Sequence, residues 1–170
     1  MIPGIRAIEL ITKAHNRSDF NCGKPQLNDY LKTQARYRNK KDITRIFVAV
    51  SDDNSNRIVG YYGLTSTSIA TSELSDKMIK GLPRYPITCA LLARLAVDVS
   101  FHNKGLGGVL LAHAWRNVLE VSKKLAIKSM IVDAKDQEAK TFYLHHGFIQ
   151  LTSGPMRLAL SIDDIRKFFR

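Results

Sequence analysis

Between residues 88 and 122 the chain changes its hydrophobic pattern once, and this change constrains the fold more than any other feature. Residues 88–98 (TCALLARLAVD) are a long apolar stretch. Their length alone allows a helix, but their place between the proline-stiffened loop GLPRYP (81–86) and a glycine turn favours a strand. Gly105 then opens a helix. Leu106, Val109, Leu110, Ala114, Val118 and Val121 recur on one face of it, to about residue 122. A strand therefore runs through a short loop into a helix whose first turn is Gly-Leu-Gly-Gly.

The remaining pattern supplies the partners of this unit. IRAIELIT (5–12) is apolar enough for a first strand, and NCGKP (21–25) is turn chemistry. Leu27, Tyr30, Leu31 and Ala35 recur at helical spacing, which predicts an amphipathic helix over 26–38. TRIFVAV (44–50) and RIVGYYGLTS (57–66), joined by SDDNSN, predict a hairpin. A short helix is expected within 72–80, a strand over 127–133 and a helix over 136–145 that Gly147 stops near C′. Two late strands (148–151, 156–160) and a C-terminal helix close the chain. The order predicts an α/β (α+β) layer fold: a mixed, mostly antiparallel central sheet of six to seven strands flanked by about four helices. Its length of 170 residues suits one domain, 1–170.

Composition narrows the class. No apolar run reaches the ~20 residues of a membrane span, and the first residues lack a signal-peptide core, so a cytoplasmic protein without a membrane partner is expected. Cys22 and Cys89 share no metal-type spacing, and neither a disulfide framework nor a metal site is expected. Lys plus Arg number 26 against 15 acids, a net charge of +11. Such a field favours polyanions: nucleic acid, anionic nucleotides or an acidic protein.

Chemistry concentrates in two segments. At Lys104-Gly-Leu-Gly-Gly108 the first N–H groups of a helix lack intrahelical partners, and the macrodipole adds roughly half a positive charge. Glycines admit a bulky anion and Lys104 adds a full charge, so the turn can cradle a pyrophosphate. The lysine precedes the glycines, so this is not a Walker loop, and a dinucleotide fingerprint is absent. The alternative is that Gly105 and Gly107 only allow close helix–strand packing. The second segment is Asp136–Phe148, with Tyr143 on a helix directly after a strand. A phenol of pKa about 10 can donate to a departing thiolate of about 8–9. The alternative for Phe142 and Tyr143 is core packing.

Together the two segments resemble the GNAT superfamily of N-acetyltransferases. The family's pyrophosphate motif falls on His102-Asn-Lys-Gly105-Leu-Gly107, with His102 where the family has Gln or Arg. Its second motif falls on Asp136, Ala139, Phe142, Tyr143, Gly147 and Phe148, with Asp136 in place of Asn. The resemblance implies acetyl-CoA as acetyl donor and a strand that splays from its neighbour. Leu95, Ala96 and Val97 would meet the pantetheine arm and thioester. Asn103, Lys104, Gly105, Leu106, Gly107 and Gly108 would bind the pyrophosphate. Asp136, Ala139 and Phe142 would complete the cofactor site, and Tyr143 would act as catalytic proton donor. No carboxylate stands out as a general base.

Within the superfamily, Phe20-x-Cys22-Gly23, Leu27-Asn28-x-Tyr30-Leu31, Thr44-Arg45-x-Phe47-Val48-Ala49, Gly60-Tyr61-Tyr62 and Leu92–Asp98 resemble the toxin branch of type II toxin–antitoxin pairs. That resemblance implies acetylation of the α-amine of aminoacyl-tRNA, a homodimer and a small ribbon-helix-helix antitoxin. Residues 21–50 hold seven Lys or Arg against two acids, a patch able to contact phosphates. The tRNA candidates are Lys32, Arg36, Arg38, Lys40, Lys41, Arg45 and Arg94. The competing readings are a small-molecule or protein amine acetyltransferase and a non-enzymatic nucleic-acid-binding module.

Overall fold

The computed structural model describes residues 2–170. The elements follow the order β1 (Ile5–Leu10), α1 (Pro25–Thr33), α2 (Ala35–Lys40), β2 (Arg45–Ser51), β3 (Ile58–Ile69), α3 (Asp76–Ile79), β4 (Ile87–Val97), α4 (Leu106–Ser122), β5 (Ser129–Asp133), α5 (Gln137–His145), β6 (Ile149–Gln150), β7 (Arg157–Ser161) and α6 (Ile162–Phe168). Short 3₁₀ turns lie at Thr71–Glu73 and Val99–Phe101. Seven strands hydrogen-bond in the order β1-β2-β3-β4-β5-β7-β6. β1 with β2, β2 with β3, β5 with β7 and β6 with β7 pair antiparallel, and β4 with β5 pairs in parallel. The mixed, mostly antiparallel sheet is as the sequence predicts. Among the described residues the helices number six rather than about four, partly because the helix expected over 26–38 breaks at Gln34, whose φ of −124° is not helical.

The backbone groups into two compact units: residues up to Thr65 with Ala93–Ala114, and Ser66–Leu92 with Trp115–Arg170. In the first unit, β1, β2 and β3 form an antiparallel meander with Phe47 opposite Leu10 on one side and Tyr62 on the other. Pro25 occupies the first turn of α1, where its missing N–H costs no bond. Leu27, Tyr30, Leu31 and Ala35 then bury against Ile46, Val48, Ile58 and Tyr61. Leu31 is fully buried, worth roughly 1.5–3 kcal/mol relative to exposure.

The start of α4 lies on β3 through a glycine of the strand. A Cβ at Gly60 would stand 3.0 Å from Leu110 Cδ1 and 3.2 Å from Leu106 Cδ2. A side chain at this position would press on both leucine methyl groups, so the glycine eases the close approach of helix and strand. Leu106, Leu110, Ala114 and Val118 are buried as expected; Val121 is exposed, and Leu111 and Trp115 widen the apolar face instead.

In the second unit β4 pairs with β5 in parallel from Ala90 opposite Met130 to Leu92 opposite Val132, and β5, β7 and β6 continue antiparallel. Ile69, Leu74, Cys89, Ile131, Leu151 and Ala159 form its core. Arg157 joins two carboxylates, 2.8 Å from Asp133 and 3.3 Å from Glu73. Both cysteines are buried free thiols. Burial pushes the Cys89 thiol up to about 11, so it stays protonated and unreactive at neutral pH. No helix among the described residues is long and apolar enough to cross a membrane.

Candidate active site

The loop between β4 and α4 is pinned before it reaches the glycines. Asp98 is 3% exposed. Its carboxylate accepts from the Asn21 N–H at 2.9 Å, the Ser100 N–H at 2.9 Å and the Ser100 hydroxyl at 2.7 Å, with Arg57 at 3.8 Å. The Asp98 N–H donates to Val59 O and the Val99 N–H to Asn21 O. His102 Nε2 donates to Val97 O at 2.7 Å, clipping the loop onto the strand end. The residue at the weakest point of the motif therefore has a local structural role.

Burial alone would raise the Asp98 carboxyl; the N–H and O–H donors and Arg57 outweigh it and hold it below its ordinary value. A carboxylate lowered in the folded state stabilises the fold above the ordinary carboxylate range, and that stability is lost as pH falls through the folded value. Asp98→Asn should therefore lower Tm at pH 7 by about 5 °C, in line with a loss of ~2 kcal/mol for charge-assisted bonds. The difference from wild type should shrink toward pH 3 in thermal melts. A gap that stays constant with pH would show that the charge of Asp98 is not what matters.

After the clip the chain turns by left-handed residues, Asn103 at φ +61° and Gly105 at φ +83°. A Cβ at Gly105 would meet nothing within 4 Å, so packing does not require this glycine; its backbone conformation does. The close-packing role belongs to Gly60. The Gly105 carbonyl accepts from the Val109 N–H at 3.2 Å. The N–H groups of Leu106, Gly107 and Gly108 precede that first intrahelical bond and are left for another acceptor. Lys104 is exposed beside them, its ammonium 5.2 Å from the Phe101 ring. A helix start with free donors, a nearby cation and no side chain on Gly105, Gly107 or Gly108 suits a pyrophosphate. Leu95, Ala96 and Val97 form the last stretch of β4, leading into this loop.

In the second unit Asp136 caps α5, accepting from the Ala139 N–H at 2.8 Å. Ala139 and Phe142 lie on the helix it starts, and Gly147 at φ +94° ends it. Tyr143 is 5% exposed, in edge contact with Phe142 and Phe148 at 5.2 and 5.3 Å between centroids. Packing and chemistry are thus not exclusive readings of this ring. Burial pushes its phenol well above the ordinary tyrosine value. It stays protonated throughout the neutral range, but full transfer to a thiolate is uphill. Such a group serves best as a hydrogen-bond donor to developing charge, releasing its proton only as another arrives.

The basic candidates differ in their surroundings. Lys32, Lys40 and Lys41 are exposed, Arg36 is half-buried, and none has an ion pair among the described residues. Arg45 is engaged with Asp42 and with the Asn39 carbonyl, so it is the least available of the set. Arg38 and Arg94, 56 positions apart in sequence, both approach the ring of Tyr30. Periodicity alone assigned Tyr30 to the core and did not join it to them. It also passed over the Tyr62 hydroxyl 2.7 Å from His113 Nδ1, with Phe47 stacked on Tyr62. Aspartate two residues before serine was a readable turn signal for Asp98. A groove of about 660 Å³ beside Arg116, Lys123, Arg166 and Phe169 holds none of the predicted site residues. Among the described residues no cluster suits a metal ion.

Comparison with known proteins agrees with the geometry. The model of the acetyltransferase (GNAT) domain matches residues 42–150. The tRNA-acetylating toxin of Mycobacterium tuberculosis is 32% identical over 163 residues, 96% of this chain and 96% of its own. A crystal structure of a tyrosine-to-phenylalanine mutant of KacT superposes with a TM-score of 0.93 at 32% identity, covering 98% of this chain and 99% of that one. AtaT complexed with acetyl-methionyl-tRNAfMet gives 0.91 at 28% identity, over 96% and 99% of the two chains. Other matching structures include AtaTR bound with AcCoA and AtaT bound to the C-terminus of the antitoxin AtaR. The helix-start loop, the capped tyrosine helix and the match over most of the length together establish that the chain belongs to the GNAT acetyltransferase family.

Proposed function

We propose that this chain is an acetyl-CoA-dependent N-acetyltransferase that acetylates the α-amine of aminoacyl-tRNA and so blocks translation, as the toxin of a toxin–antitoxin pair. The observation that carries the acetyl-CoA half is the α4 start, where Gly105 is required by conformation and not by packing. The RNA half is supported by the cations of α1 and α2 without acidic partners and by relatives named for tRNA acetylation. The residues 1–170 act as one acetyltransferase domain; Met1 lies outside the described residues.

In this reading Asn103–Gly108 hold the pyrophosphate, and Leu95, Ala96 and Val97 offer backbone groups to the pantetheine arm and thioester carbonyl. The β4–β5 register, which runs from Ala90 to Leu92, supports a strand that parts from its neighbour beyond that point. An N–H directed at the thioester oxygen would stabilise the tetrahedral oxyanion. Asp136, Ala139 and Phe142 set the helix that carries Tyr143. The amine attacks the thioester carbon directly. As the C–S bond breaks, Tyr143 donates its proton to sulfur while the ammonium of the intermediate passes a proton, through water, back to the phenol oxygen. The high proton affinity of the buried phenol requires these two transfers to be coupled. An ester-linked α-amine is less basic than a lysine side chain and arrives largely neutral, consistent with a site that shows no committed carboxylate base. The buried, protonated Cys89 argues against an acyl-enzyme.

Lys32, Arg36, Arg38, Lys40, Lys41, Arg45 and Arg94 would face the RNA. A homodimer, a ribbon-helix-helix antitoxin and a cytoplasmic site of action complete the proposal; complexes of AtaT with the antitoxin AtaR support the partner. The deciding experiment is mass spectrometry of aminoacyl-tRNA incubated with enzyme and acetyl-CoA. A mass gain of one acetyl group on the amino acid is expected; acetylation of polyamines or peptides alone would point to the other amine classes. Changing Lys32 and Arg36 to Gln together should weaken tRNA binding and flatten its salt dependence by about 1–2 in log–log slope. An unaltered slope would move the RNA surface elsewhere.

A further inference from the structure

Two residues of the segment that resembles the toxin branch are not used by the core. Phe20, Cys22, Leu27, Tyr30 and Leu31 are buried in one cluster with β2 and β3; Gly23 is exposed and Asn28 is half-buried. The start of α1 has no side-chain cap. Asn28, the fourth residue of the helix, reaches back instead. Its Oδ1 accepts from the Cys22 N–H at 2.9 Å, and its Nδ2 donates to Asn21 Oδ1 at 3.0 Å. Asn21 Oδ1 also accepts from the Gly23 N–H at 2.9 Å, and Gly23 takes a φ of +87° to present it. The backbone donors of Cys22 and Gly23 leave each amide only one orientation. The main chain of Asn21 serves the other side. Its N–H donates to the Asp98 carboxylate at 2.9 Å, 77 positions on, and its carbonyl accepts from the Val99 N–H at 2.8 Å. Every residue of this connection lies in the first unit.

The connection continues toward the helix-start donors. Asp98 also holds the Ser100 N–H and hydroxyl, and His102 closes the loop onto Val97 O. From Asn28 to the left-handed turn before Gly105, successive links are therefore hydrogen-bonded. An ordinary N-cap would satisfy the first N–H groups of α1 with one side chain of its own. The arrangement present here adds a tie between two segments distant in sequence. Segments tied in this way open together, so a ligand that holds one end raises the cost of opening the other. We propose that Asn28 is a positioning residue that, through Asn21 and Asp98, fixes α1 to the donor loop and holds the acceptor side and the acetyl donor as one body. The inference rests on the reading that α1 faces the substrate bearing the amine and that the loop holds acetyl-CoA. Attack requires the amine about 3–3.5 Å from the thioester carbon, and a misplacement of about 1 Å costs roughly 10²-fold in rate. A tie between the two sides limits that error without touching either reactant.

Exchange and turnover test this separately. Hydrogen exchange of the whole chain is followed by mass spectrometry with and without coenzyme A. In wild type the cofactor should slow exchange at 103–109 and also across 21–28, the latter by about fivefold, the low end of ordinary coupling between sites. Asn28→Ala should keep the protection at 103–109 and lose it at 21–28. No protection at 21–28 in wild type, or the same protection there in the variant, overturns the tie. Turnover of aminoacyl-tRNA is then measured for Asn28→Ala, for Asp98→Asn, whose amide offers one acceptor oxygen where the loop uses two, and for the double variant. Asn28→Ala should lower kcat by about 10- to 100-fold and leave the KM for acetyl-CoA near wild type. The double variant should lose little more than the worse single one, because both cut one connection. Losses that multiply overturn the proposal, since two independent structural defects would behave so. Asn28→Asp, which keeps the acceptor for the Cys22 N–H and loses only the donor to Asn21, replaces Asn28→Ala where that variant melts below the assay temperature. A wild type that does not acetylate aminoacyl-tRNA yet shows the exchange coupling, lost on changing Asn28, overturns the tRNA reading and leaves the tie standing.

Discussion

Gly107→Glu should abolish measurable acetyl-CoA binding in titration calorimetry while leaving the fold intact. Gly107 is the second residue of α4 and is half-buried at the helix start. A glutamate there suits an ordinary helix, because a negative side chain near the N-terminus interacts well with the macrodipole. Stability should thus be kept or slightly raised. The same carboxylate would occupy the donors and the positive potential proposed to hold the pyrophosphate, and would repel it. A loss of at least ~100-fold in affinity is expected from one displaced set of charge-assisted bonds plus like-charge repulsion. An unchanged melting curve with lost binding identifies the cradle. Normal binding would remove the helix start from the cofactor site whatever the enzyme acetylates.

Tyr143→Phe should lower kcat by ~10²-fold, the lower range for general acid catalysis, and leave the KM for acetyl-CoA near wild type. The ring makes edge contacts that phenylalanine keeps, so stability should change little. The buried phenol also makes a prediction for pH. Its value lies well above the ordinary one, so no descending limb from Tyr143 ionisation should enter the rate profile below pH 10. A fall in rate near pH 8 to 9 that vanishes in the phenylalanine variant would require a far more acidic phenol than burial allows. Unchanged turnover in the variant would strip Tyr143 of its role.

Much of this architecture was legible in the pattern of residues. The β-rich composition of β2 and β3 with the turn residues between them, the glycine stop after α5 and the apolar spacing of α1 depend on local physics, and each appears within a few residues of its expected place. The break at Gln34 was not legible, because both halves of the stretch have helical spacing and only tertiary packing of Ala35 chooses the new direction. Helix-start glycines could be read as either cradle or packing residues. For Gly105 the packing reading needed the space around it, which is empty, whereas the space at Gly60 is filled. The basic candidates were visible only as a run of charge. The pairing of Arg45 with Asp42, three residues away, lay within reach of a local reading, but the approach of Arg94 to the ring of Tyr30 joins segments distant in sequence, and no local pattern contains it.

Gly60 has a wider meaning than the contact in which it was found. It lies 45 positions before Gly105 and touches no anion, yet it sets how deeply Leu106 and Leu110 seat α4 on the strand. A side chain there would press on two buried leucines, which must give by a few tenths of an ångström or shift the helix with them. The donors at the helix tip would then be re-aimed rather than removed. With the acetyl donor held at this turn as proposed, its binding would be sensitive to positions far along the chain: variation at a residue inside a strand, invisible to any inspection of the glycine-rich turn, would tune how tightly the donor is held.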